Sequence, residues 1–236
     1  MEVLIGILIP FFGTVIGSLL VYIMKKELNK KVEVIIYGFA AGVMMAAAIW
    51  SLIIPSIEQS KNVIPCVVGL VLGVGIFYVI DLIMEKKRLK KMNNLMVAVT
   101  LHNIPEGMAV GVAFASYLSG GLSLASAFAL AIGIAIQNFP EGSVISFPLL
   151  KNGYSKNKAF LYGFISGVFE LLGTLITLIF TNFIITIMPY MLAIAAGAMF
   201  YVIVVELIPE SDSKSKLNVI GFLVGFIVMM ILDVML

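Results

Sequence analysis

The chain alternates long apolar segments with short polar breaks from one end to the other. Eight segments are long enough to cross the hydrocarbon core of a bilayer, which takes about 20 apolar residues per helix. They cover about 3–24, 34–57, 63–84, 95–118, 121–150, 159–181, 183–208 and 217–236. The pattern predicts an all-α membrane protein with eight transmembrane helices, folded as a single domain over residues 1–236.

The composition argues against a soluble protein. Hydrophobic residues make up 61% of the chain and charged residues only 12%, whereas about a quarter of the residues in soluble domains are charged. The basic residues lie in short clusters between apolar segments, so the net charge of +2 predicts no nucleic-acid partner. The single cysteine, Cys66, excludes an intramolecular disulfide and a thiolate-rich metal site.

The basic residues predict the orientation in the membrane. Of the 15 Lys and Arg residues, only Lys61 falls in an even-numbered loop. The positive-inside rule therefore places the odd-numbered loops in the cytoplasm and both termini on the extracytoplasmic side. The first segment follows Glu2 and precedes Lys25 and Lys26, the reverse of a signal peptide's charge pattern, so we interpret it as a transmembrane helix.

Two internal repeats lie on pairs of segments that run in opposite directions. The hexapeptide HNIPEG at 102–107 is echoed by QNFPEG at 137–142 on the next segment. AAGVM at 40–44 with Pro55 is echoed by AAGAM at 195–199 with Pro209, on the second and seventh segments. Inverted repeats around a site at the middle of the membrane, with helices interrupted by proline, are typical of secondary transporters.

The hexapeptides carry polar side chains that are costly inside hydrocarbon and therefore indicate an ion path. His102 and Glu106 lie four residues apart, as do Gln137 and Glu141, so each pair shares one helix face. An imidazole, an amide oxygen and two carboxylates suit Zn²⁺, and also Fe²⁺, Mn²⁺ or Cd²⁺. Two carboxylates would also neutralise a divalent cation in this medium of low dielectric constant. The sequence thus predicts transport of a divalent metal ion, with no cofactor besides the ion.

A resemblance to a known family rests on these motifs together. The two hexapeptides, Glu170 on the sixth segment, and ELIPE at 206–210 after AAGAM resemble the ZIP family of metal-ion transporters, in its GufA-like branch. The resemblance covers essentially the whole chain. It implies eight helices, outside termini, a binuclear metal site and transport toward the cytoplasm.

The resemblance also implies which residues hold each metal. One metal would be held by His102, Glu106, Gln137 and Glu141. The adjoining metal would be held by Asn103, Asn138 and Glu170, with Glu106 and Glu141 shared. Several family members have Asp at the position of Asn138, and many have His at the position of Val205. The second metal position therefore carries less charge in this chain, and the release path lacks one ligand.

Alternative interpretations remain for several of these residues. Gln137, Asn103 and Asn138 could serve only as hydrogen bonds between helices. Glu170 could pair with a backbone group or with a hydroxyl such as that of Thr174. Glu206 and Glu210 could form an exit relay or be plain interfacial charges, and Asp81 is interpreted as interfacial.

Two other functions use similar residues. A metal-selective channel could use the same ligands as a carrier that works by alternating access. An intramembrane metalloprotease needs a second His at i+4, and His102 is the only histidine, so we predict no enzyme. The predicted partners are divalent metal ions and the lipid bilayer, with a homodimer left open. The predicted location is a prokaryotic inner membrane.

Overall fold

The computed structural model describes residues 1–24, 29–86, 91–210 and 215–235, with the side chains of 84–86, 91–99, 101–102 and 210 excepted. Within these residues all regular structure is helical. The α-helices are α1 (Glu2–Leu19), α2 (Lys30–Ala47), α3 (Ile54–Ser60), α4 (Val63–Lys86), α5 (Lys91–Leu118), α6 (Leu124–Lys151), α7 (Lys156–Ile179), α8 (Thr181–Val202), α9 (Ile208–Glu210) and α10 (Lys216–Met235). The all-α prediction is confirmed.

Seven helical stretches in the described part of the chain are long and apolar enough to cross a membrane. They are Glu2–Tyr22, Lys30–Ser60, Val63–Ile83, Leu124–Lys151, Lys156–Ile179, Thr181–Leu207 and Lys216–Met235. The remaining long helix, α5, has 28 residues, but the side chains of its first part lie outside the described residues. A multi-pass membrane protein is therefore confirmed, whereas the count of eight spans and the side on which the termini lie stay predictions.

Polar residues begin three of the helices. The side chains of Asn29, Ser123 and Ser155 accept hydrogen bonds from the backbone N–H groups of the first turns of α2, α6 and α7. A side-chain acceptor at this position satisfies one of the backbone donors that a helix leaves open at its start. Gly120 lies in the break between α5 and α6 with a φ of 79°, which only glycine adopts readily. The short break predicted between the fourth and fifth segments is therefore a turn.

The copies of the AAGVM/AAGAM repeat share an unusual local structure. A π-helical segment, Ala48–Ile53, joins α2 to α3, and another, Ile203–Leu207, joins α8 to α9. Each lies directly before the helical turn that contains Pro55 or Pro209. Proline has no N–H to donate to the carbonyl four residues earlier, and π-helical turns often lie at functional sites. The two repeats are therefore alike in conformation as well as in sequence.

The helices pack in two bundles. The motif bundle comprises α1, α5, α6 and α7, with close packing of α1 on α6 and of α5 on α7. The flanking bundle comprises α2, α3, α4, α8, α9 and α10, with close packing of α2 on α10 and of α4 on α8. The bundles meet where α5 contacts α8 and α2 contacts α6. Both hexapeptides therefore belong to one bundle, and both π-helical segments to the other.

Glycines at matching positions show that the inverted repeats extend beyond the motifs. We call the correspondence between the two copies the pseudo-twofold relation. In the motif bundle, Gly17 of α1 meets the carbonyl of Phe139, and Gly173 of α7 meets the carbonyl of Ile104. Phe139 and Ile104 hold the same position in the two hexapeptides. A Cβ at either glycine would collide with that carbonyl. Small residues allow membrane helices to approach this closely, and the relation thus pairs α1 with α7.

The flanking bundle repeats this arrangement. Gly225 of α10 meets the carbonyl of Phe39, and Gly73 of α4 meets the carbonyl of Ile194. Phe39 and Ile194 directly precede AAGVM and AAGAM. The relation therefore also pairs α4 with α10, which the sequence analysis did not predict. The signal in the sequence was a set of glycines spaced by four, such as Gly69 with Gly73 and Gly221 with Gly225.

Candidate metal centre

The polar residues of the hexapeptides lie in the interior of the motif bundle. Both motifs sit in the middle of long helices, and Pro105 and Pro140 are accommodated without ending α5 or α6. Six of the predicted ligands have side chains between 0 and 1% exposed: Asn103, Glu106, Gln137, Asn138, Glu141 and Glu170. The side chain of His102 lies outside the described residues. The fold thus buries together three carboxylates and three amides.

Hydrogen bonds join the two motifs to each other and to α7. Gln137 Nε2 donates to Glu106 Oε1 at 2.7 Å, across the contact between α6 and α5. Asn138 Nδ2 donates to Glu170 Oε2 at 2.9 Å. In both pairs an amide N–H group stands beside a carboxylate oxygen. These contacts join Gln137 to Glu106 and Asn138 to Glu170, although each pair is separated by about 30 residues in sequence.

The two asparagines also form hydrogen bonds to other helices, Asn103 to α7 and Asn138 to α1. Asn103 Nδ2 donates to the Oγ atom of Ser166 at 3.1 Å and to its carbonyl at 3.3 Å. Asn138 Nδ2 donates to the carbonyl of Pro10 at 3.4 Å. The Nδ2 groups of both amides act as the donors in these contacts. Their Oδ1 atoms, by contrast, accept no hydrogen bond from the described residues.

Acceptor oxygens without a donor are the main chemical feature of this region. In the described part of the chain, such buried oxygens among the predicted ligands include Asn103 Oδ1, Glu106 Oε2, Gln137 Oε1, Asn138 Oδ1 and Glu170 Oε1. A buried acceptor left without a donor costs about 1–3 kcal/mol. A cation bound among these atoms would satisfy several of them at once, whereas a further acceptor would not. The arrangement therefore suits a cation.

The carboxylates alone do not make a complete site. Among the described side chains, no group of three or more His, Cys, Asp or Glu is spaced to hold a metal ion. The amide oxygens of Asn103, Gln137 and Asn138 would have to contribute, together with His102. Oxygen and imidazole ligands of this kind suit Zn²⁺, Mn²⁺ and Fe²⁺.

The predicted exit residues lie near the second π-helical segment. Glu206 is within Ile203–Leu207 and is 5% exposed, which is unlike a plain interfacial charge. The side chain of Glu210 lies outside the described residues. Asp81 of α4 accepts a hydrogen bond of 2.7 Å from the hydroxyl of Tyr201, at the end of α8. Glu206 and the pair of Tyr201 and Asp81 therefore both lie near the C-terminal end of α8.

The sequence analysis missed a polar pair in the flanking bundle. Ser51 Oγ, in the first π-helical segment, donates to Asp233 Oδ1 of α10 at 2.9 Å. Asp233 lies in the last apolar segment, and a carboxylate in such a segment was the feature of the sequence that could have indicated a polar site. The pseudo-twofold relation that matches Gly225 with Gly73 also matches Asp233 with Asp81. One aspartate therefore stands on each of two related helices, toward opposite ends of the bundle.

Two cavities lie beside this pair. One of about 230 Å³ is lined by Ser51, Asp233 and the small residues Ala129 and Gly133 of α6. A second, of about 780 Å³, extends along α5 and α8 and shares Ser51, Pro55 and Leu130 with the first. Gly133 is one helical turn before Gln137. The cavities therefore reach within a turn of the buried ligand set.

Comparisons with known proteins agree with the motifs. The family model described as ZIP Zinc transporter matches residues 86–233. Zinc transporter ZIP11 of Xenopus tropicalis is 32% identical, with 99% of this chain and 97% of the relative covered. Zinc transporter GufA of Myxococcus xanthus is 32% identical, with 98% and 97% covered. Zinc transporter ZIPB of Bordetella bronchiseptica is 31% identical, with 94% and 77% covered.

Proposed function

Because this chain belongs to the ZIP family of zinc transporters, we propose that it carries divalent transition-metal ions toward the cytoplasm by alternating access, with zinc as the main substrate. The ions would pass through a binuclear site in the middle of the membrane. The observation that carries this proposal is the cluster of buried carboxylate and amide oxygens that accept no hydrogen bond from the described residues.

The proposed topology has eight spans in one domain, with α5 as the fourth span and both termini outside. The distribution of Lys and Arg supports this orientation. It places the end of α5 and the start of α6 at the outer face, and the cavities beside Ser51 and Asp233 then open from that face. The proposed location is a prokaryotic inner membrane.

At the first metal position, the ion would exchange its water for His102, Glu106, Gln137 and Glu141. Glu106 and Glu141 neutralise the two charges of the ion. Gln137 donates its N–H to Glu106, and this bond holds the amide so that Oε1 remains available to the metal. An ion without such compensation would be far too costly in the membrane interior.

At the second metal position, Glu106 and Glu141 would be shared with Asn103, Asn138 and Glu170. The bond from Asn138 to Glu170 orients both side chains toward one another. Two neutral amides give this position less negative charge than Asp would. We therefore propose that it binds metal more weakly than the first position and serves as the inner step of transfer.

The division into two bundles supports alternating access. The described candidate ligands all lie in the motif bundle, and the residues that line the approach, Ser51 and Asp233, lie in the flanking bundle. Glycine contacts hold α1 to α6 and α5 to α7 within the motif bundle. We propose that the motif bundle moves as a unit against the flanking bundle and carries the ligands from one side to the other.

Zinc uptake into proteoliposomes tests the proposed function. The purified full chain is reconstituted with a zinc-sensitive dye inside the vesicles, and uptake is measured against external Zn²⁺ over several concentrations and temperatures. A carrier predicts a saturable rate with a steep temperature dependence. A channel with the same ligands predicts a rate that rises with concentration and depends weakly on temperature. Uptake equal to that of protein-free vesicles contradicts both.

We predict that Asn138→Asp makes the protein more dependent on metal. The substitution removes the donor to Glu170 Oε2 and places a second carboxylate beside it. Without metal, the free energy of unfolding should fall by roughly 1–3 kcal/mol, whereas bound Zn²⁺ should restore it. Thermal unfolding with and without Zn²⁺ measures this difference.

Asn103→Asp is the matched control for that variant. Asn103 holds the equivalent position in the other hexapeptide but donates to Ser166 and not to a carboxylate. Its metal-induced shift in Tm should be the smaller of the two. Equal shifts in both variants would contradict the role given to the pair of Asn138 and Glu170.

We predict that Asp233→Asn raises the KM of zinc uptake by roughly tenfold through lost electrostatic attraction, with kcat little changed. The carboxylate lies in the wall of the approach cavity but outside the ligand set. Glu58→Gln is the control, because it removes the same charge from an exposed position on α3. Equal KM values for Asp233→Asn and wild type would exclude this cavity as the approach.

A further inference from the structure

Thr14 of α1 occupies the position that the pseudo-twofold relation matches with Glu170 of α7. Ser18 Oγ donates to the carbonyls of Thr14 and Gly142, at 2.9 and 3.1 Å. Thr174 Oγ1 donates to the carbonyls of Glu170 and Gly107, at 3.2 and 2.8 Å. Gly142 and Gly107 end the two hexapeptides. The two sets of bonds are therefore the same contact made twice, once by α1 and once by α7.

A second pair of contacts gives the same alignment. Asn138 Nδ2 donates to the carbonyl of Pro10, and Asn103 Nδ2 donates to the carbonyl of Ser166. Pro10 precedes Thr14 by four residues, as Ser166 precedes Glu170. Together with the contacts of Gly17 and Gly173, these bonds align residues 10–18 with residues 166–174. The alignment places a hydroxyl on α1 where α7 carries a carboxylate.

The hydroxyl of Thr14 is buried inside the motif bundle, where α1 contacts α7. Thr14 is 0% exposed, and its Oγ1 atom makes no hydrogen bond to the described residues. Its side chain faces α7, because a Cβ at Gly167 would lie 3.4 Å from the Cβ of Thr14. Gly167 follows Ser166, which binds Asn103. Thr14 therefore lies at the seam between α1 and α7 that also holds the two asparagines.

We propose that Thr14 Oγ1 is a further oxygen ligand of the second metal position, opposite Glu170, either directly or through a bound water molecule. This inference rests on the proposed function, since it adds a residue to that binuclear site. With Asn103, Asn138, Glu106, Glu141 and Glu170, the hydroxyl brings the number of oxygen-bearing residues to six.

The added ligand has a consequence for metal preference. A shell of six oxygens suits octahedral cations such as Mn²⁺, whereas the imidazole at the first position suits Zn²⁺. A neutral hydroxyl completes the coordination number without changing the charge of the site. Thr14 thus shifts the preference of the second position toward octahedral ions such as Mn²⁺, while the first position keeps its preference for Zn²⁺.

Binding of Mn²⁺ alone and of Zn²⁺ alone to the purified full chain tests this proposal by calorimetry. Thr14→Val, which keeps the shape and removes the hydroxyl, should weaken Mn²⁺ binding about tenfold and change Zn²⁺ binding less than twofold. Thr14→Ser should bind both ions like wild type. Thr14→Asp, which supplies a carboxylate like that of Glu170, should tighten Mn²⁺ binding.

Thr177→Val is the control. Thr177 is also fully buried in the motif bundle, but its hydroxyl donates to the carbonyl of Gly173 in its own helix. The proposal is overturned if Thr14→Val binds Mn²⁺ as tightly as Thr177→Val. It is also overturned if Thr14→Val loses Mn²⁺ and Zn²⁺ binding equally while Thr14→Ser retains neither. Wild-type protein that binds neither ion would instead contradict the proposed function.

Discussion

Replacing Glu106 and Glu141 together by glutamine is expected to reduce zinc uptake into proteoliposomes at least about a hundredfold. Both side chains are fully buried, and glutamine keeps their shape while removing both negative charges. A cation left without its counter-charge in a buried site loses about 3–5 kcal/mol, and each 1.4 kcal/mol is about tenfold in binding. The double variant His102→Ala with Glu141→Ala should be equally inactive.

The controls for these variants distinguish a loss of metal binding from a loss of folded protein in the vesicles. Glu58→Gln, at an exposed position, should transport zinc like wild type. The amount of each variant in the vesicles is measured in parallel, and thermal unfolding without metal shows whether it is folded. In the metal-free protein, the two Glu→Gln substitutions should leave Tm unchanged or raise it, because they remove buried negative charges and keep the side-chain shape. Wild-type uptake by either double variant would exclude these residues as the transport site.

Gly107→Val is expected to disrupt the packing of α5 on α7 and with it the metal centre. A Cβ at Gly107 would collide with the carbonyl of Glu170, and the neighbouring bond from Thr174 to the carbonyl of Gly107 would be lost. Overpacking a tight contact costs about 1–3 kcal/mol and more where backbone must move. We expect a clear fall in Tm and loss of zinc uptake. Gly142→Val should behave alike, because a Cβ there would collide with the carbonyl of Thr14.

Gly75→Val is the matched control. Gly75 lies within α4, and a Cβ added there would meet nothing within 4 Å. The substitution has the same effect on helix propensity and side-chain volume but creates no collision. Its Tm and uptake should equal those of wild type. If Gly107→Val has the same Tm as Gly75→Val, the contact between α5 and α7 is looser than the structure indicates.

The helices were predictable because a chain segment that crosses the membrane as a single span must be helical. Backbone groups inside hydrocarbon must find their partners within the same helix, so each apolar segment determines its own local structure. Segments such as 63–84 and 159–181 correspond closely to α4 and α7. The sequence could not predict the π-helical turns before Pro55 and Pro209, because removal of one N–H can also be accommodated by an ordinary kink.

The candidate ligands were predictable because polar residues are rare in apolar segments and were repeated. Glu106 and Glu141 stood out as carboxylates at the same position of two hexapeptides. Thr14 and Asp233 did not stand out. A threonine is common in apolar helices, and Asp233 lies near the end of the last segment, where charge is unremarkable. Their importance depends on which helices they face.

The sequence by itself determined the helical class, the membrane setting, the family and the positions of the two motifs, since each of these follows from local pattern. Only the tertiary structure decided that α1 packs on α6 in the same way as α7 packs on α5. Thr14 is therefore the counterpart of Glu170. It also decided that Gln137 donates a hydrogen bond to Glu106 and that Asn138 donates one to Glu170. The physical reason is that these relations depend on close contacts between helices far apart in sequence. Glycines such as Gly17 and Gly173 permit those contacts, but their spacing does not specify the partner.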